Sequence, residues 1–315
     1  MVNMKKSGYK YIFGPVPSRR LGISLGVDIM PHKTCSLNCV YCECGRTTDL
    51  TIKRAEYTPV EFIREELKDF LSDNPKLDFI TFSGSGEPTL HTGINEIVDF
   101  IKADYPQYKL ALLTNSTLFS QSNVIEQVLG MDIIIASLDA ATEKIFIRIN
   151  RPHPDLDFKQ IIDGLICLRK NFSGQLWMEF FLVPGINDSE IELKKIKNLL
   201  TNVKPDKIQI NTLDRPGTES WVKPVGKERL IDINRFLSGF EVIKDFTPEK
   251  NSFVLKENDF SRFLSTLKRR PCTDKDASQI LGIHVNNVRS CLEPLIKSGK
   301  IEKKEMPRGV FYIAK

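Results

Sequence analysis

Thr34-Cys35-Ser36-Leu37-Asn38-Cys39-Val40-Tyr41-Cys42 sets three cysteines at x3 and x2 spacing in one short loop. That spacing lets three thiolates, soft ligands suited to iron, wrap a single iron-sulfur cluster. Four irons need four ligands and the loop offers three. The remaining iron is left with open coordination, which suits a cluster that binds and reduces a substrate rather than one that only passes electrons. Zinc is the alternative occupant, with Cys44 or His32 as fourth ligand. Four cysteines within ten residues are nevertheless unlike the two separated ligand pairs of most structural zinc sites.

Outward from the loop, residues 20 to 240 alternate short β-rich runs with amphipathic helical stretches, the pattern of parallel strands joined by helical crossovers. The expected strands are Gly22 to Ile29, Asp78 to Ser83, Lys109 to Thr114, Asp132 to Ser137, Gln175 to Val183 and Lys207 to Asn211. Thr58 as N-cap and Pro59 at the first helical position open one of the helices, and Thr142, Asp188 and Lys227 mark the approximate starts of others. Six such units make an α/β fold, an open, partial (βα)6 barrel, whose chemistry belongs at the C-terminal ends of the strands. Five segments obey that rule: the cysteine loop, Gly84 to Glu87, Asn115, Ser137 to Asp139 and Pro184 to Asn187 each follow a strand.

The loop, with aromatic Tyr41 just before its third cysteine, resembles the radical S-adenosylmethionine superfamily. Phe82-Ser83-Gly84-Ser85-Gly86-Glu87-Pro88-Thr89-Leu90 is similar to that superfamily's Gly-Gly-Glu segment, with Ser85 where a glycine is usual. Thr114-Asn115-Ser116-Thr117-Leu118, Ser137-Leu138-Asp139 and Val183-Pro184-Gly185-Ile186-Asn187 resemble, in the right order, segments that hold S-adenosylmethionine. The resemblance implies a [4Fe-4S] cluster on Cys35, Cys39 and Cys42, its open iron chelated by the amino and carboxylate groups of S-adenosylmethionine. One electron then cleaves the cofactor to methionine and a 5′-deoxyadenosyl radical, which takes hydrogen from a substrate. Gly86 and Glu87 are expected at the amino group, Asn115, Ser137 and Asp139 at the amino-acid and ribose portions, and the Tyr41 backbone at adenine. Arg148 or Arg151 is a candidate clamp for the carboxylate. No catalytic residue is identified. An electron donor such as flavodoxin or ferredoxin is implied as partner.

Gly14-Pro15-Val16-Pro17-Ser18-Arg19-Arg20-Leu21-Gly22-Ile23-Ser24-Leu25-Gly26-Val27-Asp28 resembles the start of a poorly characterised iron-sulfur oxidoreductase group related to wyosine tRNA-modifying enzymes. Those enzymes carry a second cluster, whereas Cys167, Cys272 and Cys291 are isolated here, and Cys167 is expected as a small buried hydrophobe. Arg19 and Arg20 either reach an anionic substrate or pair with acids. Substrate identity is unwritten. The alternatives are a tRNA or other nucleic-acid modifier, an activase of a partner protein, and a redox-sensing transcription regulator, the last disfavoured because a sensor has no need of the segments beyond the loop.

The chain has 315 residues, 41% hydrophobic, enough for one large and one small domain. Three unpaired cysteines in one loop, a polar start and the lack of an apolar run of 18 residues point to a reducing, cytoplasmic setting with no membrane span. The net charge is +5, but residues 259 to 315 hold twelve Lys/Arg against six Asp/Glu, which leaves the rest near neutral. The expected division is a barrel over 1–244, a connector over 245–258 and a winged helix-turn-helix over 259–315. Its helices are Phe260 to Arg270, Asp274 to Leu281 and Val285 to Ser298, followed by an Ile301 to Ile313 hairpin. His284, Asn286, Asn287 and Arg289 at the recognition helix and Lys303, Lys304 and Arg308 on the wing would meet nucleic acid or protein. The cofactor site is expected wholly within the barrel.

Overall fold

A strand covered on both faces must be apolar at successive positions, and Ile133-Ile134-Ile135-Ala136 is such a run, buried throughout. It lies at the middle of a sheet in the computed structural model, which describes residues 8–243 and 260–315. In chain order the elements are β1 (Ile12–Ser18), β2 (Gly22–Val27), β3 (Thr34–Cys35), β4 (Asp49–Leu50), α1 (Val60–Leu71), β5 (Phe79–Phe82), α2 (Ile94–Asp104), β6 (Lys109–Thr114), α3 (Ser122–Val128), β7 (Ile133–Ser137), α4 (Glu143–Asn150), α5 (Phe158–Asn171), β8 (Gln175–Leu182), α6 (Glu190–Val203), β9 (Lys207–Thr212), α7 (Lys227–Phe236) and β10 (Glu241–Val242). Further along the chain come α8 (Phe260–Leu267), β11 (Cys272–Thr273), α9 (Asp274–Leu281), α10 (Val285–Lys297), β12 (Ile301–Met306) and β13 (Gly309–Ala314).

The main sheet has the order β1-β2-β5-β6-β7-β8-β9-β10, with β1 antiparallel to β2 and every other pairing parallel. The mostly parallel sheet is that expected of the α/β barrel. Alternate residues of β7 face opposite ways: Ile134 and Ala136 join the large core under the helices, Ile133 and Ile135 a smaller inner cluster with Leu21 and Ala111.

The six expected strands appear as β2, β5, β6, β7, β8 and β9, their ends within two residues of expectation. Two strands of the main sheet were not expected. β1 carries Pro15 and Pro17, which lack the N–H of a ladder, and it sits at the sheet edge where proline is tolerated. β10 is only two residues long. α1 begins at Val60 rather than Pro59, because Pro59 has a non-helical ψ of 125° and the Val60 amide donates to Glu56 Oε1 (2.9 Å). Cys167 is exposed rather than buried, since the buried stripe of α5 runs through Ile161, Leu165 and Leu168.

The C-terminal residues form three helices and an antiparallel sheet of order β11-β13-β12. α9 opens with a reciprocal cap between Thr273 and Asp276 and ends at Gly282 in the left-handed region (φ 65°). α8 stops at Leu267, short of the expected Arg270. The expected connector, 245–258, and the boundary residues 244 and 259 lie outside the described residues. The core of this unit, built on Phe263, Leu267, Ile280, Val288, Leu292 and Tyr312, also takes in Val16 of β1. Around that apolar contact Arg270 donates to the Pro17 carbonyl (2.8 Å), and Arg308, in the β12–β13 turn, pairs with Asp214 (2.9 Å) and Asp276 (3.2 Å).

Candidate functional site

Parallel strands deliver their following loops to one edge of the sheet, and the cysteine loop leaves that edge after β2. Each of its three cysteine sulfurs meets one nitrogen donor from a different part of the chain: Asn115 Nδ2 reaches Cys35 Sγ (3.5 Å), Asn150 Nδ2 reaches Cys39 Sγ (3.4 Å) and Lys33 Nζ reaches Cys42 Sγ (3.1 Å). Lys33 is buried. Burial, the largest influence, pulls its ammonium down, and the sulfurs of Cys42, Cys44 and Cys35 more than offset it, so its pKa is raised. Cys42 is held below the ordinary thiol range by its Cys44 hydrogen bond and by Lys33. Burial pushes Cys35 up to about 12 and Cys39 higher than normal. Binding iron would therefore release protons at those two positions.

The donor set, three soft thiolates with N–H donors at their sulfurs, fits an iron-sulfur cluster in which each thiolate holds its own iron. All seven cysteines are free.

The Gly84–Glu87 turn, after β5, lies beside this loop. Ser85 Oγ and its backbone N–H both donate to Asp28 Oδ2, at 3.0 and 3.2 Å. The serine in place of a glycine therefore adds a bond to a buried carboxylate. A Cβ on Gly86 would stand 2.3 Å from the Thr34 carbonyl oxygen, so glycine is required there by the closeness of the cysteine loop. Glu87 is buried, and its carboxylate is filled from within: Oε1 accepts from the Thr89 amide (3.0 Å), Thr89 Oγ1 (2.6 Å) and Thr114 Oγ1 (2.6 Å), and Oε2 from the Asn115 amide (2.8 Å). Burial raises its pKa against the pull of those donors. The side chain thus ties the end of β5 to the end of β6.

Asn115 crosses to the cysteine loop a second time through Ser36 Oγ (2.9 Å), and its own Oδ1 accepts from Thr117. Ser137 offers its carbonyl to Ser116 Oγ (3.0 Å). Asp139 accepts from Tyr41 Oη (2.5 Å), Asn150 Nδ2 (2.7 Å) and the Phe181 amide (3.0 Å), and burial lifts its pKa to about 6. The Tyr41 ring stacks on Phe181 with centroids 3.8 Å apart. Asn187 bridges the Asp139 and Phe181 carbonyls. Tyr41, Asn115, Ser137, Asp139 and Asn150 line one narrow crevice. All six expected cofactor contacts accordingly lie at one rim with the three cysteines, Gly86 and Glu87 on its Asp28 side.

Other expectations fare differently. Arg148 is exposed and Arg151 is paired with Glu219 (2.6 Å), which also holds Arg46. Arg19 and Arg20 pair with Asp214 and Glu179. Arg308 of the hairpin turns inward to Asp214 and Asp276, while Lys303, Lys304 and the start of α10, His284 to Asn287, are exposed. The site's support is not confined to the barrel: Arg269 pairs with Asp28 (2.6 Å), and Met306 packs against the cluster of Val40, Tyr41 and Leu213. Sequence reasoning missed Lys33, Asp28, Asn150 and the segment after β9, where Thr218 Oγ1 donates to the Cys42 carbonyl (2.9 Å) and the Glu219 amide to that of Val40 (3.0 Å). Pro216-Gly217 after the sixth expected strand was the available clue. A Cβ on Gly217 would come within 2.8 Å of the Tyr41 carbonyl oxygen.

A family model described as the radical SAM superfamily matches residues 29–194. A UPF0026 protein of Methanocaldococcus jannaschii is 34% identical over 309 residues, covering 96% of this chain and 95% of that protein. GTPase Obg of Brachyspira hyodysenteriae is 35% identical over 317 residues, 97% of this chain, which spans only 45% of that protein's length. Among solved structures, TYW1 with a lysine-pyruvate adduct bound is similar in fold, with a TM-score of 0.53 and 17% identity over 79% of this chain and 80% of that one. The chain therefore belongs to the radical SAM superfamily, alongside the UPF0026 proteins, whose fold takes a [4Fe-4S] cluster and S-adenosylmethionine.

Proposed function

We propose that this enzyme uses a single [4Fe-4S] cluster on Cys35, Cys39 and Cys42 to generate a substrate radical. When bound, the cluster supplies one electron to S-adenosylmethionine, whose carbon–sulfur bond breaks to methionine and a 5′-deoxyadenosyl radical that abstracts hydrogen from the substrate. The observation that carries this reading is the meeting, at one rim, of three cysteine sulfurs that each receive a nitrogen donor with the Gly86 turn and the Tyr41–Asn115–Ser137–Asp139 crevice.

On this reading Asn115, Asn150 and Lys33 stabilise negative charge on the thiolates. The turn around Gly86 offers backbone to the cofactor's amino group, while Glu87 holds that turn against β6 through its four donors. Asp139 fixes the Tyr41 ring and Asn150. Apolar residues around Tyr41, among them Val40, Phe146, Phe181 and Leu213, keep water from the reacting centre.

Residues 1–244 then form the catalytic barrel, 245–258 a connector, and 259–315 a winged helix-turn-helix that holds the substrate or a partner. The order helix, strand, two helices, hairpin supports that assignment, as does the exposed start of α10. The electron donor is a protein such as a flavodoxin or ferredoxin, and the setting is cytoplasmic. Among the described residues no helix is long and apolar enough to cross a membrane. The test is anaerobic reconstitution with iron and sulfide, reduction with a strong reductant, and assay for 5′-deoxyadenosine. Product is expected from the wild type and none from Cys39→Ala; protein that carries stoichiometric zinc and no iron would reject the reading.

A further inference from the structure

We infer that Arg269, contributed by the C-terminal unit, is a positioning residue for S-adenosylmethionine: it fixes Asp28, and through Asp28 the Gly84–Gly86 turn. The two units would then build the cofactor site together. The inference rests on the proposed reading of that turn as the seat of the methionine amino group.

Arg269 divides its guanidinium between this junction and α8, the helix just before it. Nε donates to Asp28 Oδ2 (2.6 Å), Nη2 to the Lys10 carbonyl (2.8 Å) and Nη1 to Ser265 Oγ (2.7 Å), with Cζ 5.3 Å from the centre of the Phe13 ring. Its side chain is 13% exposed and that of Asp28 only 2%. A fork held at three points has little freedom, so the carboxylate it faces has little as well.

The same Asp28 oxygen accepts from Ser85 N–H and Oγ. Gly84 lies so close that a Cβ would stand 2.1 Å from the Asp28 carboxyl carbon. On its other side the turn is gripped by the strand that leads into Cys35: the Lys33 amide donates to the Ser85 carbonyl (3.2 Å) and the Glu87 amide to the Thr34 carbonyl (3.2 Å). Arg269 touches the cysteine loop directly too, its carbonyl accepting from Cys44 Sγ (3.2 Å). Turn and loop thus share one anchor, and it comes from outside the barrel. A cleft of about 1420 Å³ opens between the units, and Asp28, Cys44, Ser85 and Arg269 form part of its wall.

Removing Arg269 leaves Asp28 buried without its cation, a costly state that the carboxylate relieves by turning or by drawing in water. Either response shifts the turn. A displaced turn weakens its contacts with the cofactor, and the expected loss of about ten-fold in affinity corresponds to about 1.4 kcal/mol. The experiment uses full-length protein, reconstituted anaerobically, with three readouts: iron content, equilibrium binding of S-adenosylmethionine, and the change that the cofactor produces in the electron paramagnetic resonance spectrum of the reduced cluster. Arg269→Ala should keep its iron, bind the cofactor at least about ten-fold more weakly and lose the spectral change at cofactor concentrations that saturate the wild type. Arg269→Lys should recover only part. The double variant with Asp28→Asn should lose little more than either single variant, as expected of residues acting through one chain of contacts. Wild-type affinity in Arg269→Ala at full iron content, or strictly additive losses in the double variant, would overturn the inference. Should Arg269→Ala lose its cluster or its fold, Ser85→Ala decides, because it removes only the hydroxyl bond to Asp28: a loss of a few-fold in affinity supports the inference and unchanged affinity rejects it. A wild type that neither binds the cofactor nor alters its spectrum would instead reject the underlying reading of the turn.

Discussion

Glu87→Gln separates two roles for the residue that the radical SAM motif makes most conspicuous. In the folded protein the Glu87 carboxylate accepts four hydrogen bonds, two of them from the backbone amides of Thr89 and Asn115, which cannot rotate away. A glutamine amide has one oxygen, so its NH₂ must face either Asn115 or the three donors at Oε1. In the better orientation the Asn115 amide alone is left facing another donor, which costs about 1–3 kcal/mol for a buried group. The three remaining bonds change from charge-assisted to neutral and lose roughly half their strength. The sum is on the order of 2–4 kcal/mol, only part of which is returned by the relief of burying a charge. For a unit of about this size each kcal/mol moves the midpoint by roughly 2–4 °C, so the metal-free protein should melt about 5–10 °C lower by circular dichroism under anaerobic conditions. Weaker cofactor binding should accompany the loss as a consequence of the loosened turn. A variant whose metal-free midpoint stays within about 1 °C of wild type while cofactor binding disappears would refute this reasoning, because the carboxylate would then have been free to face the cofactor.

Two further substitutions probe the cluster loop. Lys33→Met removes a buried cation 3.1 Å from Cys42 Sγ, and because nearby charge and hydrogen bonds to sulfur tune such clusters, the midpoint potential should fall; a potential equal to wild type in a titration followed by paramagnetic resonance would place Lys33 outside the cluster's field. Cys44→Ala should retain about four irons and four sulfides per chain, as one [4Fe-4S] unit requires, because the Cys44 thiol is turned to the Arg269 and Gly84 carbonyls; iron falling to the level of Cys39→Ala would make Cys44 a ligand, and a wild-type count near eight would add a second cluster.

The barrel was legible because its strands are locally unambiguous. β6 and β7 are short apolar runs with polar stops, and their period of two survives into the structure as two separate apolar faces. β1 was hidden for a physical reason: Pro15 and Pro17 argue against a strand until the chain is known to lie at the edge of a sheet. At the site, residues that sit directly after strands were visible, since the parallel sheet brings those positions to one rim. Asn150 was not, because it is the last residue of α4 and nothing local marks it. Its value lies in two neighbours far off in sequence, Cys39 and Asp139. Lys33 was equally silent, as a lysine beside a cysteine loop is ordinarily a solvated charge, and only burial turns it into a donor to sulfur. Glu87 was found for its motif, and the contacts that fill its carboxylate belong to Thr89, Thr114 and Asn115, two of them on the next strand and loop.

The basic C-terminal unit carries the same lesson into function. Counted along the sequence, its excess of +6 points outward to an anionic partner. In the fold the arginines and the lysines divide. Arg269, Arg270, Arg289 and Arg308 pair with Asp28, Asp276 and Asp274, Arg308 also with Asp214, and of these four Arg269 and Arg270 are mostly covered while Arg289 and Arg308 reach the surface. The planar guanidinium fork best suited to phosphate is thus turned mostly toward acids within the molecule, while Lys275, Lys300, Lys303 and Lys304 face water as solvated point charges. Charge that looked like a docking signal is, at three of its arginines, the means by which the C-terminal unit is held against the barrel. Through Arg269 at Asp28 and Cys44, and through Met306 beside Val40 and Tyr41, the C-terminal unit reaches the turn and the loop at the strand ends, so its seating against the barrel and the order of the candidate cofactor site depend on the same few residues.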